Sequence, residues 1–521
     1  MTLIATKITS AALAAAGRKL FRHQGRQILL IACDGALFAT ANRCPHEGYP
    51  LSEGALGADC VLTCNWHNWK FDLRSAQTLL GRDQLHHYRL EVRAGEIFID
   101  LKDDPPDLVR ARAREAITQA LDDYDRPRLA RDGARLMRAG FAPEDALKEA
   151  IILTHTRFED GMTHAHAAAA DWLRLADRTE DPALRLCAVL EPLGHLSWDS
   201  RGAKSHPFGE EIRSFDARSF ITAILEEREA DAIASLRGAQ ALDAATLRPV
   251  FARAALTHYA DFGHSAIYVL KSFELITRLG EDVSLPLLLL LTRSLARATR
   301  EDLLPEFRGF ASALREWPEG GSTPIQGTDL IGLNPERLLR RLLASSRRPV
   351  KELYDALMEA AAYNLLHFDL SFDEANDGPL ADNVSWLDFT HALTFANAAR
   401  QLCSETPTLW PSALLQLGLF VARNCKYVRH DETSDWQVED GEAFVSSQLD
   451  SLYDHGIAEP IIACHRLKVL FALQSELAQA SGAPWASIWL AAVRRYLATP
   501  LKRHHGLRLA RQALQFVASE N

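Results

Sequence analysis

No apolar run in this 521-residue chain is long enough to cross a bilayer. Leu285–Leu291 is the nearest to one, and it is short and contains Pro286. At the N-terminus the longest apolar stretch is Ala11–Ala16, with no basic segment ahead of a hydrophobic core, so no secretory leader is expected. No G-x-G-x-x-G unit follows a strand pattern, which argues against a dinucleotide-binding fold of the chain's own. An excess of positive charge is also missing. Lys and Arg total 58 against 68 Asp and Glu, a net charge of −10. Residues 1–105 hold 12 cations and 11 anions, a net of +1, so the remainder carries −11. An acidic body speaks against nucleic acid and anionic membrane as partners. Short basic strings such as Lys502-Arg503-His504-His505 read as a solvated helix end. Cysteine is sparse, with eight in the chain and no disulfide spacing among them. That pattern predicts a reducing, cytoplasmic setting.

Two pairs of residues stand out. Cys44-Pro45-His46 is followed, seventeen residues on, by Cys64-Asn65-Trp66-His67. Two Cys and two His in this order suit a [2Fe–2S] cluster in which two thiolates hold one iron and two imidazoles the other. A zinc ion can also take two Cys and two His. The flanking residues favour the cluster. The first segment continues Glu47-Gly48-Tyr49-Pro50-Leu51, and the second continues Asn68-Trp69-Lys70-Phe71-Asp72. Gly48 and Gly54 allow tight loops, and Pro45 and Pro50 stiffen the first of them. Trp66, Trp69 and Phe71 are placed to shield the site.

Over residues 1–105 the sequence resembles Rieske-type ferredoxin domains, whose pattern is C-P-H-x-G-x-P-L and then C-x2-H-x3-F-D. The resemblance implies that Cys44 and Cys64 bind one iron and His46 and His67 the other. Tyr49 and Trp66 stand where the high-potential members of the family carry an additional Cys pair. Fewer donors to the cluster sulfurs predict a potential near the low end of the Rieske range, about −150 mV. Cys60, between the two motifs, reads as a structural thiol without a partner. Short strands are expected at Gln27–Ala32, Ala36–Ala41, Val61–Thr63, Trp69–Leu73, Leu90–Val92 and Glu96–Ile99, with an Asp34-Gly35 hairpin turn.

The texture changes at Pro105-Pro106. Beyond it Ala, Leu, Arg and Glu recur with helical period. The fold expected is therefore α+β and multidomain: a small all-β Rieske domain at 1–105, then a large all-α domain at 106–521. Pro143–Leu175 and Leu247–Leu279 each read as one continuous helix, and Trp386–Leu402 and Glu459–Leu473 as two more. The antiparallel catalytic domain of ring-hydroxylating oxygenases is disfavoured. Asp160-x3-His164-x-His166 departs from that domain's ligand spacing, and strand signals are missing.

Fourteen of the nineteen His lie in the helical part. On a continuous helix His155, Glu159 and His166 fall within about 40° of one another, and His164 falls on the opposite face. Asp261 and His264, and Asp388 and His391, each pair a carboxylate with an imidazole about one turn apart. Together with His258 these are the candidate catalytic residues. Carboxylate-bridged di-iron bundles use a Glu-x-x-His pair from each of two helices, and here Asp would replace Glu, with Glu159 or Glu274 completing the set. The segments around His155, His164-Ala165-His166, His258–His264 and Thr390–Thr394 resemble, in short patches, the His segments of questin-oxidase-like proteins, which are all-α oxygenases. The resemblance implies that these helices form a reaction site.

Two readings follow. In one, the chain is an oxygenase or related oxidoreductase. Its Rieske cluster takes single electrons from an external NAD(P)H-dependent reductase or ferredoxin and passes them to a second iron or a haem in the helical domain, where a small organic substrate reacts. In the other, it is a redox sensor or electron carrier whose helical domain is a binding scaffold.

Overall fold

The computed structural model describes residues 3–375, 377–430, 433–480, 482–500 and 506–519. The Lys502–His505 string lies outside the described residues. The chain divides into two compact units, Met1–Ala142 and Pro143–Asn521.

Among its described residues the first unit contains ten strands: β1 (Leu3–Thr9), β2 (Arg18–His23), β3 (Arg26–Cys33), β4 (Ala36–Ala41), β5 (Ala55–Leu56), β6 (Val61–Thr63), β7 (Lys70–Asp72), β8 (Gln77–Leu80), β9 (Leu90–Arg93) and β10 (Glu96–Asp100). They form three antiparallel sheets, ordered β1-β10-β9, β2-β3-β4 and β5-β6-β7-β8. Strand β3 explains the arrangement. Its run Ile28-Leu29-Leu30-Ile31 has no polar alternation because both faces are covered. Ile28 and Leu30 join Leu13, Ala39, Ile97 and Ile99 in one core. Leu29 and Ile31 join Leu51, Leu62, Phe71, Cys44 and Cys64 in the other. The second core is the floor of the cysteine-bearing loops. The expected Asp34-Gly35 turn joins β3 to β4, with both residues at positive φ (48° and 72°).

One expectation fails in this unit. Cys60 is not a free thiol: it is disulfide-bonded to Cys33, with their Cα atoms 5.8 Å apart. Cys33 ends β3 and Cys60 sits in the turn before β6, so the partners are 27 residues apart and no local spacing announces them. The absence of disulfide spacing is therefore no guide to the redox state of this pair. The change of texture at Pro105 marks the end of the sheets, while the compact unit runs on through helices Pro106–Asp123 and Arg126–Arg138.

The second unit is helical. The two long helices expected at 143–175 and 247–279 are each broken. Helix Glu144–Thr154 gives way to a short 3-10 turn, His155–Arg157, and a loop, and a new helix begins at His164. Gly161 permits the loop. It has φ +88°, and a Cβ there would lie 2.4 Å from the Leu290 carbonyl oxygen. Helix Ala244–Leu256 is separated from helix His264–Leu279 by Asp261-Phe262-Gly263, all three at positive φ. Helices Trp386–Glu405 and Pro460–Gln479 form as expected. Four helices close a ring: His164–Ala176 packs on His264–Leu279 and on Pro460–Gln479, and Trp386–Glu405 packs on the same two. Among the described residues no helix is long and apolar enough to cross a membrane.

Candidate metal centres

The two motif loops of the first unit share one hydrogen-bond pattern. Cys44 N donates to Tyr49 O (2.9 Å) and Gly48 N to Cys44 O (2.8 Å). In the second loop Cys64 N donates to Trp69 O (2.8 Å) and Asn68 N to Cys64 O (2.9 Å). Gly48 and Asn68 take the left-handed position in each, with φ of 78° and 59°. Asn is among the few non-glycine residues that accept this conformation readily. Side chains fix the loops in place. Asn42 Oδ1 accepts from Ser52 N, Arg18 Nη1 donates to Ser52 O and Gly54 O, and Asn65 Nδ2 donates from the second loop to Glu53 O in the first. Gly54 is obligatory, because a Cβ would fall 2.5 Å from Thr63 O.

This geometry sorts the four residues expected as ligands. Cys44 and Cys64 are buried in the core, at 2% and 1% exposure. His46 and His67 lie outward, and their Nδ1 atoms are 3.0 Å apart. Burial pushes the Cys44 thiol up to about 11, and the neighbouring Cys64 adds to the shift. Two buried thiols become thiolates only beside a cation. A pair of inner sulfurs and a pair of outer imidazole nitrogens is the donor set a Rieske cluster requires, and the residues fit it. Trp69 stacks on the His46 ring at 4.7 Å and Trp66 on the His67 ring at 4.8 Å. Trp69 is partly buried, whereas Trp66 is 56% exposed.

The second unit brings four imidazoles together. His164 and His264 open their helices; His391 and His465 lie in the second turn of theirs. Nδ1 of His264 bonds to Asp261 O (2.7 Å), Nδ1 of His391 to Leu387 O (2.5 Å) and Nδ1 of His465 to Ile461 O (2.6 Å). A carbonyl only accepts, so each Nδ1 carries the proton and each neutral ring keeps a lone pair on Nε2. Those lone pairs converge. His264 Nε2 is 3.1 Å from His164 Nε2 and 3.0 Å from His391 Nε2. One ring nitrogen from each of His164, His391 and His465 also lies within 4.8 Å of the others. His465 Nε2 is buried without a partner. Burial, followed by the Lys468 ammonium, pushes His264 down to about 4. Burial, the other imidazoles and Lys468 hold His164, His391 and His465 well below the ordinary value. Helix N-termini add to this preference for neutral rings. Facing lone pairs that resist protonation are the arrangement in which imidazole binds a divalent transition metal, with ring N–H groups held by carbonyls to orient it.

Of the residues singled out by sequence, the structure brings together His264 and His391. His164 joins them, and His465 had no signal of its own, since no carboxylate or recognisable spacing accompanies it. His155 and Glu159 do not share a stripe with His166, because the chain between them is not helical. His155 bonds to Ile152 O, and Glu159 offers its backbone carbonyl to Arg297. His166 packs edge-on against Phe158 and caps its own helix through Thr163 N. His258 contacts Arg300 and Asp302. Asp261 serves the site through its carbonyl, while burial and then Glu301 raise its carboxyl to about 7. Asp388 caps the N-terminus of its helix by accepting from Ser385 N at 2.8 Å. Glu274 pairs with Lys271. No carboxylate belongs to the metal-ligand group at His164, His391 and His465, so the expected Asp/Glu di-iron arrangement is not formed by these residues.

Comparison with known proteins agrees with the first site. The family description "Rieske [2Fe-2S] domain" matches residues 8–87. The 3-phenylpropionate/cinnamic acid dioxygenase ferredoxin subunit of Shigella flexneri serotype 5b (strain 8401) is 35% identical over 81 residues, covering 15% of this chain and 76% of that protein. The ferredoxin component of the alkene monooxygenase system of Xanthobacter autotrophicus (strain ATCC BAA-1158 / Py2) is 32% identical over 74 residues, covering 14% of this chain and 61% of the relative. Among solved structures, the ferredoxin of carbazole 1,9a-dioxygenase from Nocardioides aromaticivorans IC177 matches 20% of this chain and all of its own, at 21% identity and a TM-score of 0.19. The chain belongs to the Rieske [2Fe–2S] family through its N-terminal domain. It is an electron-transfer protein with a [2Fe–2S] cluster of the Rieske kind.

Proposed function

We propose that the chain is an oxidoreductase of the oxygenase type. Its Rieske domain supplies single electrons to a metal held by His164, His264, His391 and His465, and a small organic substrate is oxidised there. The observation that carries this reading is the set of convergent Nε2 lone pairs in the second unit, fixed by the carbonyls of Asp261, Leu387 and Ile461. Iron is the metal we assign, because imidazole ligands suit it and the chain already handles iron chemistry. A haem is not favoured, since four imidazoles converging within a few ångströms occupy the space its macrocycle would need.

Each residue has a part. The cluster, when bound, supplies reversible one-electron transfer. The outward His46 and His67, flanked by exposed Trp66, form the edge at which a separate NAD(P)H-dependent reductase or ferredoxin delivers electrons. Among the described residues no carboxylate joins the His164, His391 and His465 group, so these neutral rings, with His264, would leave a bound metal its full positive charge. Phe262, 4.8 Å from the His391 ring, and Tyr268, 5.5 Å from the His264 ring, give the site an aromatic wall against which an apolar substrate can lie. The ferredoxin relatives are named as parts of dioxygenase and monooxygenase systems, which supports this reading.

Oxygen uptake driven by a reductase, followed in the parent and in His264→Ala, tests the proposal. Loss of uptake with an unchanged Rieske spectrum is the expected result. No uptake in the parent with any small aromatic or alkene substrate, together with a helical unit that binds no metal, would favour the sensor or carrier reading.

A further inference from the structure

Helix Arg126–Arg138 lies beyond residues 8–87 of the Rieske match, yet it belongs to the same compact unit. It carries a guanidinium to the cluster loops. Arg131 Nη1 makes a long hydrogen bond, 3.4 Å, to the carbonyl oxygen of His46, one of the four ligand residues. Arg131 Nε donates to Asp83 Oδ2 at 3.2 Å, and Arg135 Nη2 donates to the same oxygen at 2.8 Å. Asp83 is 5% exposed, and its second oxygen accepts from Gln84 N at 2.8 Å. Arg135 Nη1 also holds Asp132 at 2.5 Å, and Arg128 lies 3.9 Å from the other oxygen of Asp132. Three guanidinium groups therefore share two carboxylates. The network leaves positive charge directed at the His46 backbone. Beyond these carboxylates, Glu47 lies 3.7 Å from His46 Nε2 and its side chain is 51% exposed, so solvent screens it.

We infer that Arg131 is a positioning residue that sets the reduction potential of the cluster from outside the Rieske fold, by holding a cation against the backbone of ligand His46. Reducing the cluster adds one negative charge. A nearby partly buried cation stabilises the reduced form more than the oxidised form, and so raises the potential. Tyr49 and Trp66 supply no such donor: the Tyr49 hydroxyl donates to Glu53. Arg131 thus offsets part of what the motif loops lack. Asp83 and Arg135 keep the guanidinium in place, since Asp83 alone would be a buried carboxylate and needs its two partners.

The test is an EPR-monitored redox titration of the full-length protein with its cluster assembled, in the parent and in Arg131→Gln, Arg131→Ala and Arg131→Lys. Arg131→Gln keeps a donor and removes the charge; Arg131→Lys keeps the charge. Arg131→Gln and Arg131→Ala are expected to shift the reduction equilibrium toward the oxidised form by about tenfold, which is about 59 mV for a one-electron couple. Arg131→Lys is expected to stay near the parent. The g values should remain those of a Cys2His2 cluster throughout, which separates a change of potential from a damaged site. If Arg131→Ala does not fold, Arg131→Gln decides. An unchanged potential in Arg131→Gln overturns the inference, and so does an equal fall in Arg131→Gln and Arg131→Lys.

Discussion

Nε2 of His264 and Nε2 of His391 lie 3.0 Å apart, although each ring donates its Nδ1 proton to a carbonyl, Asp261 O in one case and Leu387 O in the other. Two neutral rings so held present lone pair to lone pair. That is unfavourable unless a proton or a cation lies between them. Burial disfavours the proton, because an imidazolium there would have no carboxylate partner. A metal ion would satisfy both rings, together with His164 and with Nε2 of His465, which is buried without a partner.

Exchanging one outer ligand tests the Rieske assignment. His46→Cys or His67→Cys replaces a neutral imidazole by a thiolate and adds negative charge to the cluster. Where the cluster assembles, its potential should fall toward about −400 mV, the range of all-cysteine plant-type ferredoxins. Redox titration followed by EPR reads this directly. A potential equal to the parent's would contradict the ligand roles of His46 and His67.

The helices that carry His164 and His264 are also tied by charge. Lys271 Nζ is buried and bonds to Asp171 (2.8 Å) and Glu274 (2.9 Å). Asp171 lies on the His164 helix and Lys271 on the His264 helix. Removing one partner leaves a buried charge unpaired, so Lys271→Met should cost about 3–5 kcal/mol. The double variant Lys271→Met/Asp171→Asn should recover much of that loss. Denaturant unfolding of the three proteins checks it, and equal stability of Lys271→Met and the parent would contradict the pairing.

Acid should weaken the fold before it protonates most carboxylates. His195 is pushed down to about 4 by burial, and so is His87 by burial and the adjacent His86. Their folded-state values lie below the unfolded value near 6.5. The unfolded chain therefore takes up protons first as pH falls. The stability due to their neutral burial is present above about pH 6.5 and is lost between there and about pH 4, at roughly 1 kcal/mol per pH unit for each fully responding group. His195→Gln and His87→Gln should flatten the loss in that window. Chemical denaturation at pH 7, 6 and 5 reads it, and parallel curves for parent and variants would contradict the assignment.

The Rieske domain was legible because the residues expected to hold its cluster lie in two short loops. Cys44 and His46, and Cys64 and His67, are local in sequence, and the glycine, proline and tryptophan around them report the loop geometry. Strand β3 was legible for a similar reason, since Ile28–Ile31 is a compact apolar run. The second site draws one residue from each of four helices, at 164, 264, 391 and 465, so no spacing encodes it. His264 and His391 were found beside acidic residues, but those residues act otherwise: Asp261 through its carbonyl and Asp388 as a cap. His465 stands in an ordinary apolar helix and was missed. Helical periodicity also ran through 155–163, because it does not register that the helix ends at Thr154 or that Gly161 takes a positive φ close to the Leu290 carbonyl. The Cys33–Cys60 bond was invisible for the same cause, a tertiary contact between distant elements.

The central claim is that a second metal sits among the four imidazoles, and the iron to acid-labile sulfide ratio of anaerobically purified protein tests it most directly. The account predicts three irons per two sulfides in the parent. It predicts two per two in His264→Ala/His391→Ala, with the visible and EPR spectra of the Rieske cluster unchanged. Two irons per two sulfides in the parent, with no other transition metal bound, would contradict it.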